Sequence, residues 1–152
     1  MKLKPIGVIH SPYKSLSEAP FQGKGISRIE IFQDYLEGLK DIETFSHLHV
    51  FYWMDKSEGF SLSVKTPWDP DSHGLFSTRT PNRPNPIGYS VAMLVRREGN
   101  VLVVEGLDAI EGTPVIDIKP YVPKIDRKGA NSGWLSGKFE TRYDEKDGLR
   151  SD

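Results

Sequence analysis

The run Thr80-Pro81-Asn82-Arg83-Pro84-Asn85-Pro86-Ile87-Gly88 concentrates side chains able to hold a small ligand. Its three prolines restrict φ and pre-order the backbone, so Arg83 and Asn85 are presented with little further loss of chain entropy. Arg83 can fork onto a carboxylate or phosphate. Asn85 offers a donor and an acceptor together, which suits an amide or a purine edge. Gly88 lets the backbone pass close to a ligand. The same run also fits a rigid connecting loop whose asparagine closes an Asx turn, and residue types alone leave both readings open.

A second constellation lies at residues 107–121, LDAIEGTPVIDIKPY. On a regularly alternating strand Val115, Asp117 and Lys119 share one face, and Ile116 and Ile118 the other. Asp117 and Lys119 then either wall a pocket or simply pair as a salt bridge; Asp108 opens the preceding turn and fits a cap. His47 and His49 stand at i and i+2 on one strand face, a spacing open to metal ligation. With no cysteine in the chain and no third ligand nearby, a metal site is not expected, and His47 reads better as a hydrogen-bonding group beside a pocket. No G-x-G-x-x-G after a strand, Walker A, H-E-x-x-H or G-x-S-x-G motif is present, which argues against a Rossmann nucleotide fold.

The elements that must position these residues read mostly as short strands. Residues 5–10 end at a Ser-Pro turn, 27–32 alternate with period two, and 47–54 are aromatic and β-branched. Residues 61–65 alternate again, and 34–39 fit one short helix with Asp34 as N-cap and Tyr35, Leu36 and Leu39 packing inward. Residues 90–95 and 101–107 flank a hairpin turn in which Gly99 and Asn100 can take positive φ. A further turn, Glu111-Gly112-Thr113, leads into a strand at 115–118. Many short strands with frequent turns predict a mainly β fold, a single compact β-barrel or sandwich with one or two short helices. Residues 67–86 break the rhythm with five of the eleven prolines, and predict a long, ordered, Pro-rich binding loop that also carries Trp68, Phe76 and Arg79.

At 152 residues the chain is one domain long, with 37% hydrophobic and 27% charged content. No apolar run approaches the about 18–20 residues of a membrane span, and the N-terminus lacks the apolar stretch of a secretory signal, so a cytoplasmic location is expected. A barrel domain over 1–140 and an acidic tail over 141–152 complete the expected organisation. The net charge of −1 does not advertise a nucleic-acid partner. Locally, however, residues 119–128 hold four bases against one acid, just downstream of Arg79 and Arg83, and form the face on which an anionic partner is expected.

At these residues the sequence resembles the TrmO family. Ile6-Gly7-Val8-Ile9-His10-Ser11-Pro12-Tyr13 matches its I-G-x-I-x-S-P-[FY] start, and Phe45-Ser46-His47-Leu48 its F-S-H-L strand. Gly74-Leu75-Phe76-Ser77-Thr78-Arg79 is similar to G-x-F-x-T-R and runs into R-P-N-P-I-G at Arg83 to Gly88. Leu107-Asp108 and Gly112-Thr113-Pro114-Val115-Ile116-Asp117-Ile118-Lys119-Pro120-Tyr121 match L-D and G-T-P-V-x-D-I-K-P-Y. The motifs fall in order over roughly residues 5 to 126, which makes the likeness specific. Two features depart from the pattern: Thr80 stands where Ser or another small residue is usual, and many bacterial members continue into a second small domain whereas this sequence ends at Asp152, as expected of a short form.

The resemblance implies a β-barrel that binds S-adenosylmethionine without a Rossmann fold, as a homodimer with cofactor near the subunit interface. It also implies methylation of N6 of N6-threonylcarbamoyladenosine beside the tRNA anticodon. Carried over by position, it assigns His47, Phe76, Arg79, Arg83, Asn85, Pro86, Ile87 and Gly88 to the cofactor. Asp117 and Tyr121 become candidate bases for a poorly nucleophilic nitrogen, and Lys119, Lys124 and Arg127 would meet tRNA phosphates. Methyl transfer of this kind needs placement rather than a metal. Two other readings stay open: an S-adenosylmethionine-binding enzyme with another small substrate, and a non-catalytic RNA- or nucleotide-binding barrel.

Overall fold

A computed structural model describes residues 1–15, 17–18 and 25–138. The expected acidic tail at 141–152 lies outside the described residues. Six strands close a barrel: β1 (Gly7–His10), β2 (Ile26–Ile31), β3 (His47–Trp53), β6 (Ile87–Glu98), β7 (Val101–Glu105) and β8 (Thr113–Pro120). Their order is β1-β2-β7-β6-β3-β8, with β8 returning to β1 and every pairing antiparallel. Closure leaves the barrel itself without an edge strand for another chain to extend. The fold class read from the sequence is the one observed.

Period-two alternation fills the barrel. In β3, Leu48, Val50 and Tyr52 point inward while His47, His49, Phe51 and Trp53 stay partly exposed. Leu48 and Val50 pack with Ile9, Ile29, Leu102, Val104 and Val115, all fully buried. Burying a side chain of this size contributes about 1.5–3 kcal/mol, so these strands hold their register chiefly through this core.

Several local expectations are corrected. Residues 67–86 are not one structureless loop: β4 (Ser63–Thr66) and β5 (Asp69–Gly74) form a separate two-stranded hairpin, followed by a 3-10 turn at Leu75–Ser77. Pro70 is tolerated because a two-stranded sheet consists only of edges. Residues 61–65 pair as part of this hairpin rather than of the barrel, and only from Ser63 onward. The helix at 34–39 is a 3-10 helix, Gln33–Leu39, whose N-cap position is Phe32 with no side-chain cap. Leu39 is buried there, but Tyr35 is exposed. In the β6–β7 turn only Gly99 has positive φ; the Asn100 side chain instead donates to the Ile31 carbonyl at 2.8 Å, tying the hairpin to β2.

Regular alternation also fails in β8. Tyr52 pairs with Val115 but Phe51 with Asp117, so Ile116 is an extra residue in a bulge. Val115 and Ile118 therefore both face the core, and Asp117 and Lys119 both face outward. A short helix, α1 (Pro123–Asp126), follows β8. The C-terminal turn Gly133–Leu135 straps the β4–β5 hairpin: Trp134 stacks on His73 with ring centroids 3.5 Å apart and donates its indole N–H to the Ser77 carbonyl at 2.8 Å.

Candidate functional site

A cleft of about 540 Å³ opens where the start of β6, the segment after β3, the loop 78–86 and the turn before β8 converge. Met54, Ile87, Ala109 and Ile110 supply apolar wall, Tyr52 and Tyr89 aromatic wall, and Asp55, Lys56, Arg79, Arg83 and Asp108 the charge. Its size and mixed lining suit a small organic ligand.

Tyr52 is buried and crosses the strand pair to lie over Gly88, its register partner. A Cβ at position 88 would fall inside the Tyr52 ring. Gly88 is thus required by an aromatic side chain of the protein itself, where the sequence reading had expected the close approach of a ligand. The Tyr52 hydroxyl donates to Asp108 Oδ1 at 2.5 Å, and Ser90 Oγ lies 3.1 Å from that hydroxyl. Burial first, and the neighbouring Asp108 carboxylate second, push the Tyr52 hydroxyl well above its ordinary value, so it remains a donor. The bonds from Tyr52 and Ser90 both use Asp108 Oδ1, which leaves Oδ2 without a hydrogen bond among the described residues.

The two arginines divide their roles. Arg83 spends Nη1 on the carbonyls of Thr78 (2.9 Å) and Thr80 (3.1 Å), and its guanidinium lies 5.9 Å from the centre of the Phe76 ring. It clamps the loop while still lining the cleft. Arg79 makes no hydrogen bond or ion pair among the described residues, and its charge acts on Tyr52 and Tyr89 from the cleft. Pro86 fixes the loop end by accepting the Met54 N–H at 2.7 Å. Asn85 is exposed and outside the cleft lining, as is Phe76, 76% exposed.

The remaining sequence-derived candidates occupy the outer barrel wall. His47 hydrogen-bonds Ser46 at 2.8 Å, and the Tyr121 ring stands 6.1 Å from His47 and 5.3 Å from His49. Asp117 pairs with Lys119 at 3.2 Å, the plain salt bridge that residue types had left open, and both side chains are exposed. Lys124 lies on α1 and Arg127 just beyond it. Tyr89 joins the two groups, since it lines the cleft and packs 5.2 Å from Phe51 on the outer wall. Among the described residues no group of three or more His, Asp or Glu is placed to hold a metal. Tyr52, Tyr89, Ser90 and the place of Asp108 in the cleft lining were missed by sequence reasoning. The available signal was period two in β3, which sets Tyr52 on the core face, together with the glycine opposite it.

Residues 8–127 match the family described as the tRNA-methyltransferase O N-terminal domain. The chain belongs to the TrmO family. A probable S-adenosyl-L-methionine-binding protein of Archaeoglobus fulgidus is 53% identical over 139 residues, covering 89% of this chain and 38% of the relative. A second protein of that organism, an S-adenosyl-L-methionine-binding protein, is 49% identical over 129 residues, with 83% and 93% covered. The human tRNA (adenine(37)-N6)-methyltransferase is 34% identical over 134 residues, with 81% and 30% covered. The crystal structure of TrmO from Pseudomonas aeruginosa superposes with a TM-score of 0.74 at 32% identity, covering 88% of this chain and 61% of that one. This chain thus spans 38% of the first of these relatives and 61% of the solved TrmO chain, and shares the TrmO barrel.

Proposed function

We propose that the chain is an S-adenosylmethionine-dependent tRNA methyltransferase acting on N6 of N6-threonylcarbamoyladenosine beside the anticodon. The observation that carries this reading is one cleft holding a guanidinium, Arg79, and a carboxylate oxygen, Asp108 Oδ2, both without a partner among the described residues, between aromatic and apolar walls. A zwitterionic amino acid joined to a nucleoside needs that set: a cation for its carboxylate, an anion for its ammonium, and flat apolar surface for its base. Arg79 and Asp108 would hold the charged end and Tyr89, Ile87 and Met54 the rest. Held there by Arg79, Asp108, Tyr89, Ile87 and Met54, S-adenosylmethionine would supply an electrophilic methyl carbon on a sulfonium leaving group. The protein's part is to exclude water, place the incoming nitrogen, and remove its proton.

For tRNA the support is the family and the basic strip. Lys119, Lys124 and Arg127 are exposed at the end of β8 and around α1, where phosphate contacts would add salt-sensitive affinity. The relatives named only for cofactor binding keep open a different methyl acceptor. The reading includes a homodimer, supported by the exposed apolar row Ile87, Tyr89, Val91, Met93 and Val95 along β6, and a cytoplasmic location.

The test separates cofactor from substrate. Calorimetry should show S-adenosylmethionine binding, weakened in Arg79→Gln and Asp108→Asn. Each change removes a charged hydrogen bond of about 1.5–3 kcal/mol, or roughly 10- to 100-fold in Kd. With threonylcarbamoylated tRNA, mass spectrometry should show one added methyl group. Binding without that product on this tRNA would discard the substrate assignment and keep the cofactor.

A further inference from the structure

The outer wall beside the cleft carries a chain of three side chains from three elements. His49 on β3 lies with Nε2 2.9 Å from Asp126 Oδ2 on α1, and with Nδ1 2.8 Å from the Tyr89 hydroxyl on β6. The ends of the chain differ in kind. An ionised carboxylate only accepts, so Nε2 carries the imidazole proton and Nδ1 presents its lone pair to Tyr89. The Tyr89 hydroxyl then donates to His49, and its own lone pairs are left for a donor arriving from the cleft it lines.

The arrangement is held from several sides. Asp126 also accepts the Val122 N–H at 2.7 Å, which with the His49 bond keeps its carboxyl below the usual carboxylate range, the His49 bond contributing most. The Tyr121 ring packs on the imidazole, and the Tyr89 ring stacks at 5.6 Å and 21°. Burial raises the Tyr89 hydroxyl from its ordinary value, while Arg79 on the cleft side opposes that rise. The charged and titratable groups facing His49 are therefore Tyr89 from β6, Lys119 across the β3–β8 pair, Tyr121 after β8 and Asp126 from α1.

We infer that Asp126, His49 and Tyr89 form a proton relay that ends in the cleft, with Tyr89 as the group that takes the proton of the methyl-accepting nitrogen. This rests on the methyltransferase reading and supplies the base it lacks; Asp117 and Tyr121, the earlier candidates, lie outside the cleft lining. A nitrogen that gains a methyl group must shed one proton. That proton passes to the Tyr89 oxygen as the Tyr89 hydroxyl proton passes to His49 Nδ1. The resulting imidazolium is stabilised by Asp126 and returns its proton to solvent. Tyr89 is the catalytic residue, and His49 and Asp126 are positioning residues that act through it.

Nitrogen-15 NMR of the imidazoles in cofactor-free protein tests the geometry without turnover. His49 should be the Nε2–H tautomer, with an Nδ1 resonance that moves in Tyr89→Phe, and Asp126→Asn should lose that tautomer preference. A wild-type Nδ1–H tautomer overturns the relay. In the methylation assay Tyr89→Phe, which keeps the ring that walls the cofactor and removes only the hydroxyl, should cost about 10²- to 10⁴-fold in kcat, with a far smaller change in cofactor affinity by calorimetry. His49→Gln should lower kcat and leave the KM for S-adenosylmethionine unchanged, a split that mere support of the fold would not produce. An active enzyme indifferent to Tyr89→Phe sinks the relay alone. A wild-type protein with no turnover on any tRNA sinks the methyltransferase reading and the relay's role together.

Discussion

Gly88 shows how one residue can be read as a site of close approach while the side chain that packs on it stays hidden. The motif around it marks a position that admits no side chain, but the Tyr52 ring fills that space, and Tyr52 is remote in sequence. Alanine there must displace a buried ring whose hydroxyl is fixed to Asp108. Overpacking of this kind typically costs about 1–3 kcal/mol. Gly88→Ala should lower the urea midpoint by a corresponding amount, and an unchanged midpoint would show that Tyr52 swings away freely. Arg83 was legible as a cleft residue because proline restricts the loop locally, whereas Asn85, restricted in the same way, lies outside the lining, and Arg79 and Ile87 were assigned by the family resemblance. Asp108 and Tyr89 were not legible, because each owes its place to pairing between distant strands, which no local pattern encodes. Asp126 gave no signal at all, since its partner His49 is 77 positions away in the chain.

At the scale of elements, alternation found the barrel strands and failed wherever an extra residue entered a ladder. The bulge in β8 reverses the face of Asp117 relative to Val115, and nothing in the residue types of 113–120 announces it. The β4–β5 hairpin was hidden by its prolines, which fit an isolated two-stranded sheet as well as a loop. One junction between elements should be sensitive to pH. His10 of β1 lies 2.8 Å from Glu30 of β2 and 3.1 Å from Glu111 in the turn before β8, and Glu111 also accepts the Ser11 N–H at 2.9 Å. The hydrogen bond to Glu30, then that to Glu111, raises His10 above its ordinary 6.5, so its contribution is full below that value and fades as pH rises through the folded one. Glu111 is held below its ordinary 4.5, first by the Ser11 N–H and then by His10, so its contribution is present above 4.5 and fades in acid. The cluster therefore stabilises most between about pH 4.5 and 6.5. The side chains are partly exposed, so the effect is small and weakened by salt. Urea midpoints should fall from pH ~5.5 to ~8.5 in wild type and fall less in His10→Gln; equal slopes in the two proteins would exclude this junction as the source.

The whole molecule presents one wall unlike the rest. Along β6 the outward positions Ile87, Tyr89, Val91, Met93 and Val95 are all large and apolar, each between 39 and 43% exposed. Strands facing water ordinarily put polar residues at such positions, and a continuous apolar row beside Phe51 and Trp53 of β3 is a surface that gains by being covered. A second copy seated on this row would bury it. Because Tyr89 belongs to both the row and the cleft, the same contact would wall the open side of the cleft next to His49. Homodimerisation and a water-excluded site would then be one event, and disruption of the row should weaken both. Val91→Lys sits in the middle of the row and outside the cleft lining. Wild-type protein at micromolar concentration should sediment as a dimer and Val91→Lys as a monomer, with cofactor binding weaker in the monomer. A wild-type monomer, or a Val91→Lys dimer with unaltered sedimentation, would place the contact elsewhere and leave the apolar row to another partner.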